Sequence, residues 1–110
     1  MITTHVLDVA RGRPAAGVAV ILERRDVETW TALGHGSTDA DGRVKDLLAG
    51  APLAAGQHRL TFDTGAYFAA QGVATLYPAV VIVFEVKEDQ GHYHVPLLLS
   101  PFGYTTYRGT

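Results

Sequence analysis

Apolar and polar positions alternate with a two-residue period along most of the chain, the signature of half-buried strands. Ile2 to Val9 alternates, with His5 and Leu7 on one face and Val6 on the other. Gly17 to Arg24 is β-branched and aliphatic, and Thr29 to Gly36 is a weaker strand carrying the only tryptophan. Val44 to Leu48 predicts a short strand, and Gln57 to Asp63 sets His58, Leu60 and Phe62 on one face. Ala79 to Lys87 carries the strongest strand pattern. The segment from His92 to Leu99 divides into two faces, His92, His94, Pro96 and Leu98 against Tyr93, Val95, Leu97 and Leu99. The second is the better core face. Tyr104 onward reads as a last strand. Only Thr64 to Gln71 reads as a helix, capped by Asp63 or Thr64 and ended by Gly72.

Turn residues punctuate these runs. Arg11-Gly12-Arg13-Pro14, Asp41-Gly42, Leu76-Tyr77-Pro78 and Ser100-Pro101-Phe102-Gly103 are turns, and Glu88 to Gly91 is predicted as a polar hairpin turn. Seven or eight short strands with one short helix predict an antiparallel β-sandwich. Pro96 cannot donate to a ladder, so it predicts an edge or a bulge in its strand.

At 110 residues the chain is read as one domain, residues 1–110, able to bury roughly two-thirds of its unfolded surface. Hydrophobic residues make up 47% and charged residues 18%, which argues against disorder. The net charge of -2 and the lack of a basic cluster larger than Arg24-Arg25 argue against a nucleic-acid partner. With no cysteine, disulfides and thiolate chemistry are excluded. The longest run of aliphatic or aromatic residues, Ala79 to Phe84, is too short to span a membrane as a helix. The opening MITTHVLD has no basic n-region and no long apolar segment. A soluble cytoplasmic protein with no membrane partner is the expectation.

Five histidines and Arg43 are the chemically useful side chains. His35 lies between glycines and His58 has no partner in sequence, so both read as structural. His92 and His94 share a face, and three readings compete for them: solvated surface residues, ligands to a zinc ion, or a general base that is neutral near pH 7. Taken alone, the His-x-His pattern fits the surface reading best. Arg43 reads either as an exposed arginine paired with Asp41 or Asp46, or as a planar donor for a carbonyl, an oxyanion or a heterocycle.

Three stretches change this picture. THVLDVARGRPAAGVAV, STDADGRV and HYHVPLLLSPFGYTTYRGT resemble, in order, the N-terminal, central and C-terminal motifs of the transthyretin-like 5-hydroxyisourate hydrolases. The resemblance implies a sandwich of two four-stranded sheets assembled as a homotetramer, with active sites at the dimer–dimer interface. It implies hydrolytic opening of a cyclic amide in 5-hydroxyisourate, the small-molecule product of urate oxidation, to 2-oxo-4-hydroxy-4-carboxy-5-ureidoimidazoline. It implies no metal and no cofactor.

By motif match the catalytic histidines fall on His5 and His94 and the arginine on Arg43. The terminal tetrapeptide falls on Tyr107, Arg108, Gly109 and Thr110. On this reading His5 and His94 hold and deprotonate water, Arg43 orients the substrate and stabilises its oxyanion, and Thr110 contributes a hydroxyl. Leu98, Tyr107, Arg108 and Gly109 are the expected substrate-binding residues. Gly109 is expected to allow a close backbone approach or an unusual φ. His92 stands just outside the reacting groups. The family usually ends in Tyr-Arg-Gly-Ser; threonine keeps the hydroxyl but is stiffer at χ1. Transthyretin itself, a hormone carrier on this fold, lacks these residues, so the rival reading is a carrier of a small aromatic ligand.

Overall fold

The computed structural model describes residues 1–88 and 91–110. Among these residues, nine strands form two facing sheets, accompanied by one helix. The strands are β1 (Ile2–Asp8), β2 (Arg13–Pro14), β3 (Ala19–Asp26), β4 (Thr29–Ser37) and β5 (Arg43–Val44), then β6 (Gly56–Phe62), β7 (Val80–Val86), β8 (Tyr93–Ser100) and β9 (Gly103–Thr106); α1 (Thr64–Ala69) follows β6. One sheet runs β4-β3-β6-β7. The other runs β2-β1-β8-β9, with the two-residue β5 also on β1, which makes it five-stranded.

The expected sandwich is therefore present, with one difference in strand direction. β1 and β8 run parallel, from Ile2↔Tyr93 to Asp8↔Leu99, within otherwise antiparallel pairings. Both strands alternate, so one register buries both apolar faces at once: Ile2, Thr4 and Val6 beside Tyr93, Val95 and Leu97. The buried Thr4 hydroxyl donates to the Val95 carbonyl at 2.7 Å, so no polar atom is stranded at this seam. Opposite them, Val20, Leu22, Leu60, Phe62, Val80 and Ile82 close the core.

Pro96 needs a different account from the one the sequence suggested. β8 is central, flanked by β1 and β9. The amide of Tyr93 points to β1, donating to Met1, so two-residue alternation turns the nitrogen of Pro96 toward β9. The β8–β9 ladder ends at Leu97↔Thr106, one residue before that donor would be used. Proline thus sits in a central strand where its partner has already stopped.

Two further differences follow from local hydrogen bonding. The short strand at Val44 to Leu48 is confined to Arg43–Val44. The Asp46 carboxylate accepts from the amides of Leu48 and Gly50, which bends the chain and drops Leu47 and Leu48 into the core. Of the predicted hairpin turn from Glu88 to Gly91, residues 89 and 90 lie outside the described residues; the strands on either side, β7 and β8, belong to opposite sheets, so the connection is a crossover. The helix is capped by Asp63, whose carboxylate accepts from the Ala66 amide at 3.2 Å.

Candidate active site

The outer face of the β1–β8 pair carries His5 and His94. Parallel register sets Thr3 beside His94, His5 beside Pro96 and Leu7 beside Leu98. These side chains are the alternate set, turned away from the core.

Arg43 reaches the same face by a turn. The Asp39 carboxylate accepts from the amides of Asp41 and Arg43 at 2.9 and 3.0 Å. Gly42 has φ 77° and its carbonyl accepts from the Val6 amide at 2.7 Å. A Cβ on Gly42 would lie 2.4 Å from the Val6 carbonyl oxygen, so glycine is required both by conformation and by space. The turn sets Arg43 directly across from His5.

The tail completes the grouping. β9 ends at Thr106, where its hydroxyl donates to the Pro96 carbonyl at 2.8 Å. The chain then returns, and the Gly109 amide donates to the His94 carbonyl at 2.9 Å. A Cβ on Gly109 would lie 2.4 Å from His94 Cδ2. The glycine therefore serves close approach, since its φ is not in the left-handed range. Thr3, Arg43, Lys45, His92, His94 and Thr110 line an open hollow of about 230 Å³.

His94 is half-buried, and its pKa is lowered, first by burial and then by the charges of Arg43, His5 and His92. It is thus held neutral. The Thr3 hydroxyl oxygen lies 2.8 Å from His94 Nδ1 and 3.0 Å from His92 Nε2. Thr3 was missed from sequence because its place beside His94 depends on the parallel pairing. Its only trace was the two-residue spacing from His5.

Not every expected residue comes to this hollow. Within one chain Tyr107 and Arg108 line a different groove with Phe84, Tyr93 and Val95. The Arg108 guanidinium stacks 4.3 Å over Tyr93, an inner-face side chain, which pulls the tail across β8 before Gly109 brings it back. Leu98 sits on the histidine face, half-buried between Leu7 and Thr105, outside the hollow's lining. His5 is half-buried directly across from Arg43 and is not among the residues lining the hollow. His35 is exposed, and His58 is buried in the core. A larger groove between Arg11, Arg13 and Tyr67 lies elsewhere and has no histidine in it. Among the described residues, no group of three or more His, Asp or Glu side chains is arranged to hold a metal ion.

A transthyretin-type sandwich with a histidine- and arginine-lined hollow on its outer sheet face defines the class, and residues 2–109 match the HIUase/Transthyretin family; the chain belongs to that family. Within it, the chain is similar to the 5-hydroxyisourate hydrolase of Caulobacter vibrioides, 50% identical over 113 residues that cover 99% of this chain and 97% of that one. The structure of Klebsiella pneumoniae 5-hydroxyisourate hydrolase superposes with a TM-score of 0.88 at 38% identity, covering 99% of this chain and 98% of the other. Sea bream transthyretin in complex with thyroxine superposes with a TM-score of 0.93 at 34% identity, covering 99% of this chain and 94% of the other.

Proposed function

We infer that this chain is a 5-hydroxyisourate hydrolase that opens the ring of a urate oxidation product by adding water to a cyclic amide. The observation that carries the reading is the gathering of His94, Arg43 and Thr110 on one hollow with His5 beside it, in a chain 50% identical to a hydrolase of that name along its whole length. The closer superposition on a thyroxine-binding transthyretin speaks for the fold, which hydrolase and carrier share.

In this reading His94, kept neutral by burial and by Arg43, takes a proton from water as general base. His5 orients that water. Arg43 presents N–H donors to the carbonyl oxygen as negative charge develops there, the interaction that grows toward the transition state. Thr110 offers a hydroxyl to the substrate across the hollow. Leu98, Tyr107 and Arg108 belong to the substrate-binding surface only once a second chain meets this face.

That assembly is part of the proposal. The face bearing Leu7, Pro96 and Leu98 has apolar side chains beside its histidines, and β7 and β9 are each an end strand of their sheet. A homotetramer with the hollows at a dimer–dimer interface covers both. A cytoplasmic location goes with the same reading, and no helix among the described residues is long and apolar enough to cross a membrane.

The test is the loss of ultraviolet absorbance of freshly generated 5-hydroxyisourate with purified protein, measured against spontaneous decay. Acceleration that persists after chelation supports the metal-independent hydrolase. Saturable binding without acceleration supports the carrier instead.

A further inference from the structure

Thr3 presents one hydroxyl to two imidazoles, 2.8 Å from His94 Nδ1 and 3.0 Å from His92 Nε2. A hydroxyl has one proton to give and lone pairs to accept with. It cannot donate to both rings, so if it donates to one it accepts from the other. The tautomers of the two histidines are therefore tied together. In one arrangement Thr3 donates to His94 Nδ1, which forces the proton of neutral His94 onto Nε2 and leaves no free lone pair. In the other, His94 Nδ1–H donates to Thr3 and Thr3 donates to His92 Nε2. If instead Thr3 accepts from both rings, His94 Nε2 is also free, but His92 Nε2 already carries a proton; only the second arrangement leaves His94 Nε2 able to take a proton and His92 Nε2 able to receive one.

The surroundings say where that proton would go. Arg43 on β5 acts on His94 with positive charge, and Lys45 adds another at the rim of the hollow. No Asp or Glu side chain lines the hollow among the described residues. An imidazolium at His94 would have no carboxylate to orient and stabilise it, unlike the base of a Ser-His-Asp triad. His92 is exposed, where water can hydrate a charge.

We propose that Thr3 is a positioning residue that fixes the His94 tautomer and links it to His92 as a proton relay, a proposal that rests on the hydrolase reading with His94 as base. The step balances. Water gives a proton to His94 Nε2 as its oxygen bonds to the substrate carbonyl carbon. The Nδ1 proton of His94 passes to Thr3 Oγ1, and the Thr3 hydroxyl proton passes to His92 Nε2. His94 ends neutral with its proton on Nε2, and His92 ends as an imidazolium open to solvent. Collapse of the tetrahedral intermediate then breaks the ring C–N bond: the leaving nitrogen takes the proton from His94 Nε2, Thr3 returns its hydroxyl proton to His94 Nδ1, and His92 Nε2 gives its proton back to Thr3, which restores the starting tautomers.

The experiment begins without substrate. Two-bond proton–nitrogen correlation spectra of the wild-type protein at pH 8 read the tautomer of His94 directly. The expected result is the Nδ1–H form, turning to Nε2–H or a mixture in Thr3→Val. Kinetics follow, with thermal unfolding checked for each variant. Thr3→Val is expected to lower kcat by about tenfold or more, a part of the roughly 10²–10⁴-fold that general-base catalysis contributes, with KM little changed. Thr3→Ser restores both kcat and the tautomer. His92→Ala is expected to lower kcat similarly and to regain rate when imidazole is added as an external proton acceptor. An Nε2–H tautomer at wild-type His94, or wild-type kcat in Thr3→Val, overturns the relay. Wild-type protein that fails to accelerate ring opening overturns the hydrolase reading instead, and the tautomer measurement separates the two failures. If Thr3→Val does not fold, the wild-type spectrum and the His92→Ala rescue still decide.

Discussion

At position 109 a single added carbon would strike the site itself, because a Cβ there meets His94 Cδ2 at 2.4 Å. Gly109→Ala is expected to displace the tail or tilt the imidazole and to lower turnover, with thermal unfolding nearly unchanged, since the contact lies outside the core. His94→Asn and His5→Asn are each expected to cut turnover by about 10²-fold or more, the usual scale for losing a general base or its orienter. His35→Asn, at an exposed site, is the matched control. The pH profile carries a sign. The His94 pKa is lowered, first by burial and then by Arg43 and His5. Its neutral form therefore persists below the ordinary histidine value of about 6.5. Activity should hold through that pH and fall only at more acid values. An acid limb above pH 7 would point to another base.

At the scale of elements, much was legible because two-residue alternation is a local signal. The inner set of β8, Tyr93, Val95, Leu97 and Leu99, is buried as its pattern predicted, and the outer set carries the histidines. What alternation cannot encode is direction and neighbour. The parallel pairing of β1 with β8 depends on partners some ninety positions apart, Thr3 and His94 being separated by 91, and with it went Thr3 and the reason Pro96 is tolerated. Asp46 ended β5 early through backbone hydrogen bonds that competed with the strand. The Arg43 turn was visible as Asp41-Gly42, but not its anchoring beneath Val6. Gly42→Ala combines a left-handed φ with a 2.4 Å clash against backbone oxygen. It is expected to lower the unfolding temperature and to abolish activity together, by moving Arg43 off His5. Leu97→Ala, at a fully buried site, is expected to cost about 2–5 kcal/mol, measured by denaturant unfolding.

Across the whole molecule, two measurements bear on assembly and on stability. Light scattering is expected to report a particle near four times the 11.8 kDa chain mass; a monodisperse and fully active monomer contradicts the tetramer. Stability should weaken in mild acid because of His58. That imidazole is fully buried, its Nε2 has no hydrogen-bond partner, and burial lowers its pKa. The unfolded chain then binds a proton that the folded chain resists. Stability is therefore lost as pH falls below the unfolded value of about 6.5 and stops falling once the folded site also titrates. His58→Phe, which packs against Phe84 without a titrating nitrogen, should flatten that slope in unfolding scans from pH 8 to 5.

The parallel seam between β1 and β8 also governs when the enzyme comes into being on the ribosome. The β4-β3-β6-β7 sheet is complete once Val86 has been translated. β1, made before them, must wait with one backbone edge unpaired until β8 emerges, and the Gly109 bridge can close only after that. Scaffold precedes site in time. A nascent chain stalled after Val86 should show protease protection in β3, β6 and β7 but not in β1, so a chaperone that shields extended apolar segments would find its binding site at residues 2–8.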